Sequence, residues 1–381
     1  MRLVETFYGK SPVFLQNFLV SAYGLKLYSE RYGGNFKKYY KDLIKTQRMK
    51  KDELANYQFK KLTNLLRHAY SNSAYYRKLF NQLGFDVSSF KDISSLKKLP
   101  ILAKETIRMN KASITVKNFK PHQIINLNTS GTTGTSLSIP VDIDSRRKSY
   151  AFSRRRFNWA GLSDEKHGAV FGGRAIVPSI GYKNNFWRYN AVLDSYLFSS
   201  YHLSNENIPY YIKKLMQFKP RYIESYPSAV YTIAAYMQQN GISGVFPKAI
   251  LTSAETLLDY QKEIIQQVFQ CPVSDQYGCT EQAIFVSQCE KGIYHINPDY
   301  GIVEIVDEND EEVPPGKTGR VICTSFVNQA LPLIRYDIGD FAVKGAFECS
   351  CGRSFPTMEK IIGRKDDFII TPDGRKIGRL D

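Results

Sequence analysis

The stretch NTSGTTGTSLSIP, residues 128–140, packs hydroxyls and glycines into a run with almost no side chain to bury. Loops of this composition turn converging backbone N–H groups toward phosphate oxygens, and their hydroxyls add donors without bulk. A Walker loop would need GxxxxGK[ST] between a strand and a helix. Here Gly131 and Gly134 stand three apart, no lysine follows, and both flanks, IINLN and SLSIPVDID, read as strands. The stretch is therefore expected to tip a hairpin that embraces phosphate. The plainer alternative, a flexible turn, needs no hydroxyl at nearly every other position.

Outward from this loop the texture differs on the two sides. Upstream, Leu54, Leu62, Leu65, Leu66 and Ala69 recur at three-and-four spacing among lysines and arginines, which predicts core-facing helix over residues 52–84. Downstream, AVFGGRAIV from Ala169, RYIESYP from Arg221, KAILTSAET from Lys248 and PVSDQYG from Pro272 each read as a strand running into a turn. Helical periodicity falls between them, at residues 229–239 and 258–269. Such alternation predicts a largely parallel sheet flanked by helices, with ligands beyond the strands' carboxyl ends, where ESYPS, TSAET and DQYGCTE lie. From residue 293 the text turns β-rich with tight turns, predicting a smaller antiparallel subdomain.

Composition bounds the rest. With 381 residues, 43% of them hydrophobic, the chain has material for a sizeable core in two or three lobes. No run approaches a membrane-spanning helix, since residues 13–20 already carry Gln16 and Asn17, and no secretory signal is read at the amino terminus. A cytoplasmic protein is expected. The net charge of +16 sits in the first third: residues 1–120 hold 24 Lys and Arg against 8 Asp and Glu, the remainder 28 against 28. No zinc finger, helix-turn-helix or aromatic RNA-binding signature accompanies that charge, which argues against nucleic acid and leaves a solvated helical surface or peripheral contact with an anionic membrane.

TSGTTG, SAET, YGCTE, YDIGD and GRKDD follow one another in the order found in adenylate-forming enzymes, the superfamily that includes acyl-CoA synthetases. QFKKLTNLLRHAYSNSAYYRKLF from Gln58, LPILAKETIR from Leu99 and ALPLIRYDIGD from Ala330 resemble its phenylacetate–CoA ligase-like branch, including the CapK-type capsular polysaccharide proteins. The likeness runs from about residue 50 onward. It implies the large N-terminal α/β domain of that superfamily: a basic helical lobe over residues 1–100, an adenylate-forming core over 101–365 with its β-rich part from about 293, and a hinge with a stub of the lid domain over 366–381. The lid itself is absent from this reading, so adenylation by such a chain is expected to be slow, for want of the lid's lysine.

The same resemblance assigns roles. It implies ATP and Mg²⁺, with Ser130, Gly131, Thr132, Thr133 and Gly134 around the phosphates and Glu281 holding the metal beside the Thr280 hydroxyl. Tyr277, with Gly278 next to it, would stack on adenine, and Ser253, Ala254 and Glu255 would line the base's edge. Asp340 and Arg364 would grip the ribose, and Asp366 or Asp367 would be the hinge. Phe171, Gly172, Gly173, Arg174, Tyr226 and Pro227 fall where the family shapes its acid cavity; Arg174 would pair an acidic group of the substrate or make an internal salt bridge. Each residue also has a structural reading: Glu281 as a helix-start carboxylate, Tyr277 as a core aromatic, Asp340 as a turn former, Arg364 as a surface charge.

Three thiols and one imidazole, Cys289, His295, Cys349 and Cys351, suit tetrahedral structural Zn²⁺, and some members of the branch carry zinc at matching positions. The rival reading is small, partly buried residues that happen to be thiols. The activity implied is ATP-dependent activation of a small carboxylic acid, with transfer to a sugar, amine or thiol acceptor in surface-polysaccharide assembly. The alternatives are an acyl-CoA ligase, which would add CoA as a substrate, and a non-catalytic nucleotide-binding scaffold at a membrane.

Overall fold

The computed structural model describes residues 7–129, 137–164, 166–178, 184–345 and 348–364, with two short backbone strands beyond. In chain order the helices are α1 (Val13–Tyr32), α2 (Phe36–Thr46), α3 (Lys51–Asn72), α4 (Ala74–Gln82), α5 (Lys104–Ile114), α6 (Ile143–Trp159), α7 (Ile208–Phe218), α8 (Pro227–Gln239) and α9 (Asp259–Phe269). The strands are β1 (Ile124–Asn128), β2 (Ser138–Asp142), β3 (Gly168–Gly172), β4 (Trp187–Asn190), β5 (Ser195–Ser199), β6 (Tyr222–Ser225), β7 (Ala249–Ser253), β8 (Val273–Gly278), β9 (Phe285–Gln288), β10 (Tyr294–Ile296), β11 (Gly301–Val306), β12 (Thr318–Ser325), β13 (Tyr336–Lys344) and β14 (Thr357–Arg364). The chain divides into two compact units. The first comprises residues 1–33, 153–276 and 288–292; the second comprises 34–152, 277–287 and 293–381.

In the first unit the strand order is β4-β5-β3-β6-β7-β8. The five strands from β5 to β8 run parallel, in register Gly168↔Tyr222, Tyr222↔Ala249 and Ile250↔Val273, as the strand–helix alternation predicts. Their apolar side chains pack against α7, α8 and α9 through Ile212, Leu215, Val230, Ile233, Ile265 and Phe269. Only the edge strand β4 is antiparallel, paired to β5 as Trp187↔Phe198. The buried Arg156 donates one Nη2 to the carbonyls of both Thr252 (2.8 Å) and Ser274 (2.9 Å), fixing the ends of β7 and β8 to α6.

The second unit carries an antiparallel sheet ordered β11-β12-β13-β14-β10-β9. Its strands β10 to β14 lie in the text that turns β-rich from residue 293. The periodic leucines of α3 bury with Tyr76, Phe80 and Ile107 against Val321, Cys323, Leu333 and Tyr336. The flanks of the glycine-rich loop pair as an antiparallel hairpin, Asn128↔Ser138 through Ile124↔Asp142. Its tip, with Ser130, Gly131, Thr132, Thr133 and Gly134, lies outside the described residues, as do Asp366 and Asp367. Among the described residues no helix is long and apolar enough to cross a membrane.

Candidate active site

Nonlocal hydrogen bonds set the geometry of the second unit's site. Arg335, in left-handed backbone and almost wholly buried, forms a two-pronged ion pair with Glu304: Nη2 to Oε1 at 3.0 Å and Nε to Oε2 at 3.2 Å. Its remaining Nη1 donates to the carbonyls of Leu99 (2.7 Å) and Lys97 (3.2 Å). The adjoining backbone is tied the same way, Leu102 N–H to Arg335 C=O at 2.8 Å and Asp337 N–H to Leu102 C=O at 3.0 Å. Residues 97–102 are thereby strapped to the start of β13, and the helix that follows, α5, begins beside the YGCTE segment.

That strap brings Lys104 within 3.5 Å of Glu281 Oε1. The same oxygen accepts the Tyr336 hydroxyl at 3.1 Å. Glu281 is 5% exposed, so its charge is kept from water and answered by one cation and one phenol. Lys104 opens its helix, where the backbone dipole disfavours a cation; the carboxylate it faces is the compensation. Tyr336 is pushed above the ordinary tyrosine range, by burial first and then by the neighbouring Glu281 charge. Among the described residues both contacts fall on Oε1 and neither on Oε2. A second cation at the carboxylate would have Oε2 to bind and Lys104 to displace or accompany, which is compatible with a hard divalent ion preferring oxygen. Thr280, one residue earlier, is exposed, as is Gly278.

Asp340 forms the second cluster. Its Oδ2 accepts the Tyr277 hydroxyl at 2.7 Å, and its Oδ1 lies 3.6 Å from Arg364 Nε. The sheet explains both contacts: Asp340 and Arg364 are register partners across β13 and β14, and Gly339, at φ +85°, supplies the left-handed bend that only glycine adopts freely just before the carboxylate. Burial and then the Asp340 charge push Tyr277 well above the tyrosine range. The charges of Glu281 and Asp340 both reach the Cys279 thiol, which burial raises in the first place. The structure thus joins Asp340 to Tyr277 and Arg364, and Glu281 to Lys104 and Tyr336; to Lys104, Tyr336 and the clasping Arg335 the sequence reading gave no role. Lys104 and Arg335 stand inside LPILAKETIR and ALPLIRYDIGD, so the signal was present as text but not as a contact.

In the first unit the SAET segment leaves β7 through Ala254, in left-handed backbone at φ +73°, a conformation costly for a residue with a Cβ. Glu255 Oε2 accepts the Ser228 N–H at 3.0 Å, at the start of α8, where free N–H groups favour an anion. Pro227 occupies the first helical turn, where its missing N–H costs nothing. Ser253 ends β7, half-buried. Phe171 is a core side chain, stacked on Phe198 with ring centroids 4.7 Å apart. Gly173 has a steric reason to be glycine: a Cβ there would stand 2.4 Å from the Tyr226 hydroxyl, whereas Gly172 faces open space. The Gly172 and Gly173 carbonyls accept the Ser200 and Tyr201 hydroxyls at 3.1 and 2.8 Å. Arg174 stands over the Tyr23 ring, 5.8 Å from its centroid, and among the described residues no ion pair of it is seen.

Of the cysteine set, His295, Cys349 and Cys351 meet in the second unit, with Cys351 Sγ 3.3 Å from His295 Nε2 and the ligand atoms within 4.8 Å of one another. His295 is fully buried, its Nδ1 3.3 Å from the Phe355 carbonyl. Cys349 begins a tight turn: its thiol accepts the Cys351 N–H, its carbonyl accepts the Gly352 N–H, and Gly352 is left-handed. Cys289, in the segment 288–292 of the first unit, begins the same turn, with Lys291 N–H to its thiol, Gly292 N–H to its carbonyl, and Gly292 left-handed. Backbone N–H groups aimed at sulfur stabilise thiolate, the form that binds metal.

No family model matches the chain. It is 31% identical over 378 residues to Protein CapK of Staphylococcus aureus, covering 96% of this chain and 79% of that protein. The phenylacetate-coenzyme A ligase of Aromatoleum evansii is 26% identical over 341 residues, 86% of this chain and 74% of the ligase. Among solved structures, a 2-hydroxyisobutyryl-CoA ligase in the postadenylation state shares the fold with a TM-score of 0.70 at 19% identity, over 87% of this chain and 72% of that one. The resemblance first read in five ordered motifs thus extends over nearly the whole sequence, and the chain belongs to the phenylacetate–CoA ligase-like family of adenylate-forming ligases.

Proposed function

We propose that the chain activates a small carboxylic acid with ATP as an acyl-adenylate and passes the acyl group from it to an acceptor in surface-polysaccharide assembly, with AMP as the leaving group. The observation that carries this reading is the pair of held carboxylates at the family's motif positions: Glu281 against Lys104 and Tyr336, and Asp340 against Tyr277 and Arg364. In the reaction a carboxylate oxygen attacks the α-phosphorus of ATP. The bond from that phosphorus to the bridging oxygen breaks, and pyrophosphate leaves. Magnesium, when bound, spreads the charge on the phosphates, and Glu281 would hold it. Asp340 would accept from the ribose hydroxyls, with Arg364 beside it. The Tyr277 ring would lie against adenine while its hydroxyl, already bonded to Asp340, fixes the ring's orientation. Thr280 would offer its hydroxyl to the α-phosphate, and Ser130 to Gly134 would embrace the others. Ser253, Ala254 and Glu255 keep the adenine-edge role, and Gly172, Gly173, Arg174 and Tyr226 the acid cavity.

Similarity to CapK supports the polysaccharide setting. Similarity to phenylacetate-coenzyme A ligases supports a second reading, in which the acceptor is the thiol of CoA. Pyrophosphate exchange across aryl, aliphatic and amino acids tests the shared first step. Exchange with one class of acid, abolished by Glu281→Gln, is expected. A full-length version, lid included, that binds Mg-ATP yet exchanges with no acid would overturn the enzymatic reading in favour of a nucleotide-binding scaffold. Dependence of the final product on CoA then separates the two acceptors.

We also propose a structural zinc ion held by Cys289, His295, Cys349 and Cys351, three thiolates and an imidazole that leave no coordination site open. The repeated cysteine turns support it. Metal analysis of protein purified without added zinc is expected to find close to one equivalent; a few tenths or less would end the proposal.

A further inference from the structure

Helix α1 turns large apolar side chains outward. The side it turns to β4 is polar: Arg188 donates to Gln16, Asn17 Oδ1 accepts the Tyr189 N–H at 2.9 Å, and Ser21 Oγ accepts the Ala191 N–H at 3.0 Å. Gly24 packs against Asn190. Leu27 is buried and Leu15, Leu19 and Val20 half-buried, but three large apolar side chains stand outward: Phe14 is 75% exposed, Phe18 67% and Leu25 62%. At about 100° per residue, Phe14, Phe18, Ala22 and Leu25 fall within roughly 80° of one another and form one stripe. Scattered exposed apolar residues need no explanation, but a continuous stripe of large ones on a single helix does. The partly exposed Tyr28 borders the stripe beyond Leu25, and Lys10 and Lys26 lie near the stripe's two ends.

We infer that this face of α1 docks on an anionic lipid surface, lying in the plane of the interface with Phe14, Phe18 and Leu25 below the headgroups. The chemistry of the stripe fits: apolar and aromatic residues to insert, Tyr28 and lysines at the headgroup level, and, among the described residues, no length of apolar helix that would span. Charge selects the occupant. The first unit, to which α1 belongs, carries 18 Lys and Arg against 12 Asp and Glu, so its like charge disfavours a second copy, whereas acidic headgroups would be attracted. The inference stands independently of the acid and acceptor proposed above.

The test is co-sedimentation of the full chain with vesicles of phosphatidylcholine alone and of phosphatidylcholine mixed with phosphatidylserine. Wild-type protein is expected to pellet with the acidic vesicles, and the triple substitution Phe14→Gln, Phe18→Gln, Leu25→Gln to lower its partition coefficient by at least about tenfold. Because the three side chains are exposed, the variant should melt with the wild type. Phe18→Trp adds a second readout, a blue-shifted emission on addition of acidic vesicles. Equal partition of wild type and triple variant overturns the inference, and so does equal binding to neutral and acidic vesicles. It is equally overturned if neither vesicle is bound and the triple substitution instead dissolves a self-associated form or abolishes binding to an acidic protein.

Discussion

Replacing Lys104 by methionine keeps the length and apolar stem of the side chain and removes the charge that answers Glu281. At 3.5 Å, and with an effective dielectric of about 20, the pair is worth about 5 kcal/mol of gross Coulomb energy. The lysine side chain is 26% exposed, so water screens part of this and recovers part of the lysine's hydration. Glu281 stays buried, with the Tyr336 hydroxyl as its remaining donor. A net loss of about 1–3 kcal/mol follows, between an exposed pair and a fully buried one. For 381 residues this corresponds to a melting temperature lower by about 1–4 °C. The assay is thermal melting of wild type and Lys104→Met in chelator and again in saturating Mg-ATP. If Glu281 is the metal-facing carboxylate, the bound cation takes over the neutralisation and the difference narrows; Lys104→Arg should melt close to wild type throughout. Identical melting in chelator would refute the reasoning about the buried charge. A difference unchanged by Mg-ATP would refute the assignment of Glu281.

Two further outcomes follow from the packing. Burial raises Tyr76, Tyr277, Tyr300 and Tyr336, so above about pH 10 the unfolded chain loses phenolic protons that the folded one keeps; stability falls with rising pH by up to about 1.4 kcal/mol per unit for each such tyrosine, and is unaffected by them below that range. Urea midpoints taken on either side of pH 10 check this, and equal midpoints would contradict it. Gly173→Ala would drive its methyl into the Tyr226 hydroxyl, the movable end of a side chain, so stability should change by less than about 1 kcal/mol while the KM for the acid changes severalfold. Gly172→Ala, facing open space, should leave that KM as it is, and a comparable effect of both substitutions would show that Tyr226 is no part of the acid cavity.

What was legible in the sequence was local. The α3 leucines, the parallel strands ending in SYPS and TSAET, and the strand-like flanks of the glycine-rich loop each announce themselves within a dozen residues, and the structure has them. Lys104 could not be read this way: its meeting with Glu281 depends on Arg335 and Leu102 clasping backbone more than two hundred residues apart. Glu255 illustrates the opposite difficulty. Its motif position suggested a nucleotide contact, but its visible partner is a helix N-terminus, a use that carries no distinct sequence signal. Helix α1 blurs periodicity, because Phe14, Phe18 and Leu25 face outward while Asn17 and Ser21 on its packed side are held by hydrogen bonds. The antiparallel edge strand β4, bounded by loops rather than helices, had no βαβ pattern to betray it.

The most direct test of the account is calorimetric titration of Mg-ATP into wild-type protein, Asp340→Ala and Glu281→Gln. The account predicts one site on the wild type, at least about tenfold weaker binding to Asp340→Ala, and for Glu281→Gln a loss of the magnesium dependence of binding. Wild-type protein that binds no nucleotide, or binds it unchanged after both substitutions, would contradict the claim that these two carboxylates hold ATP.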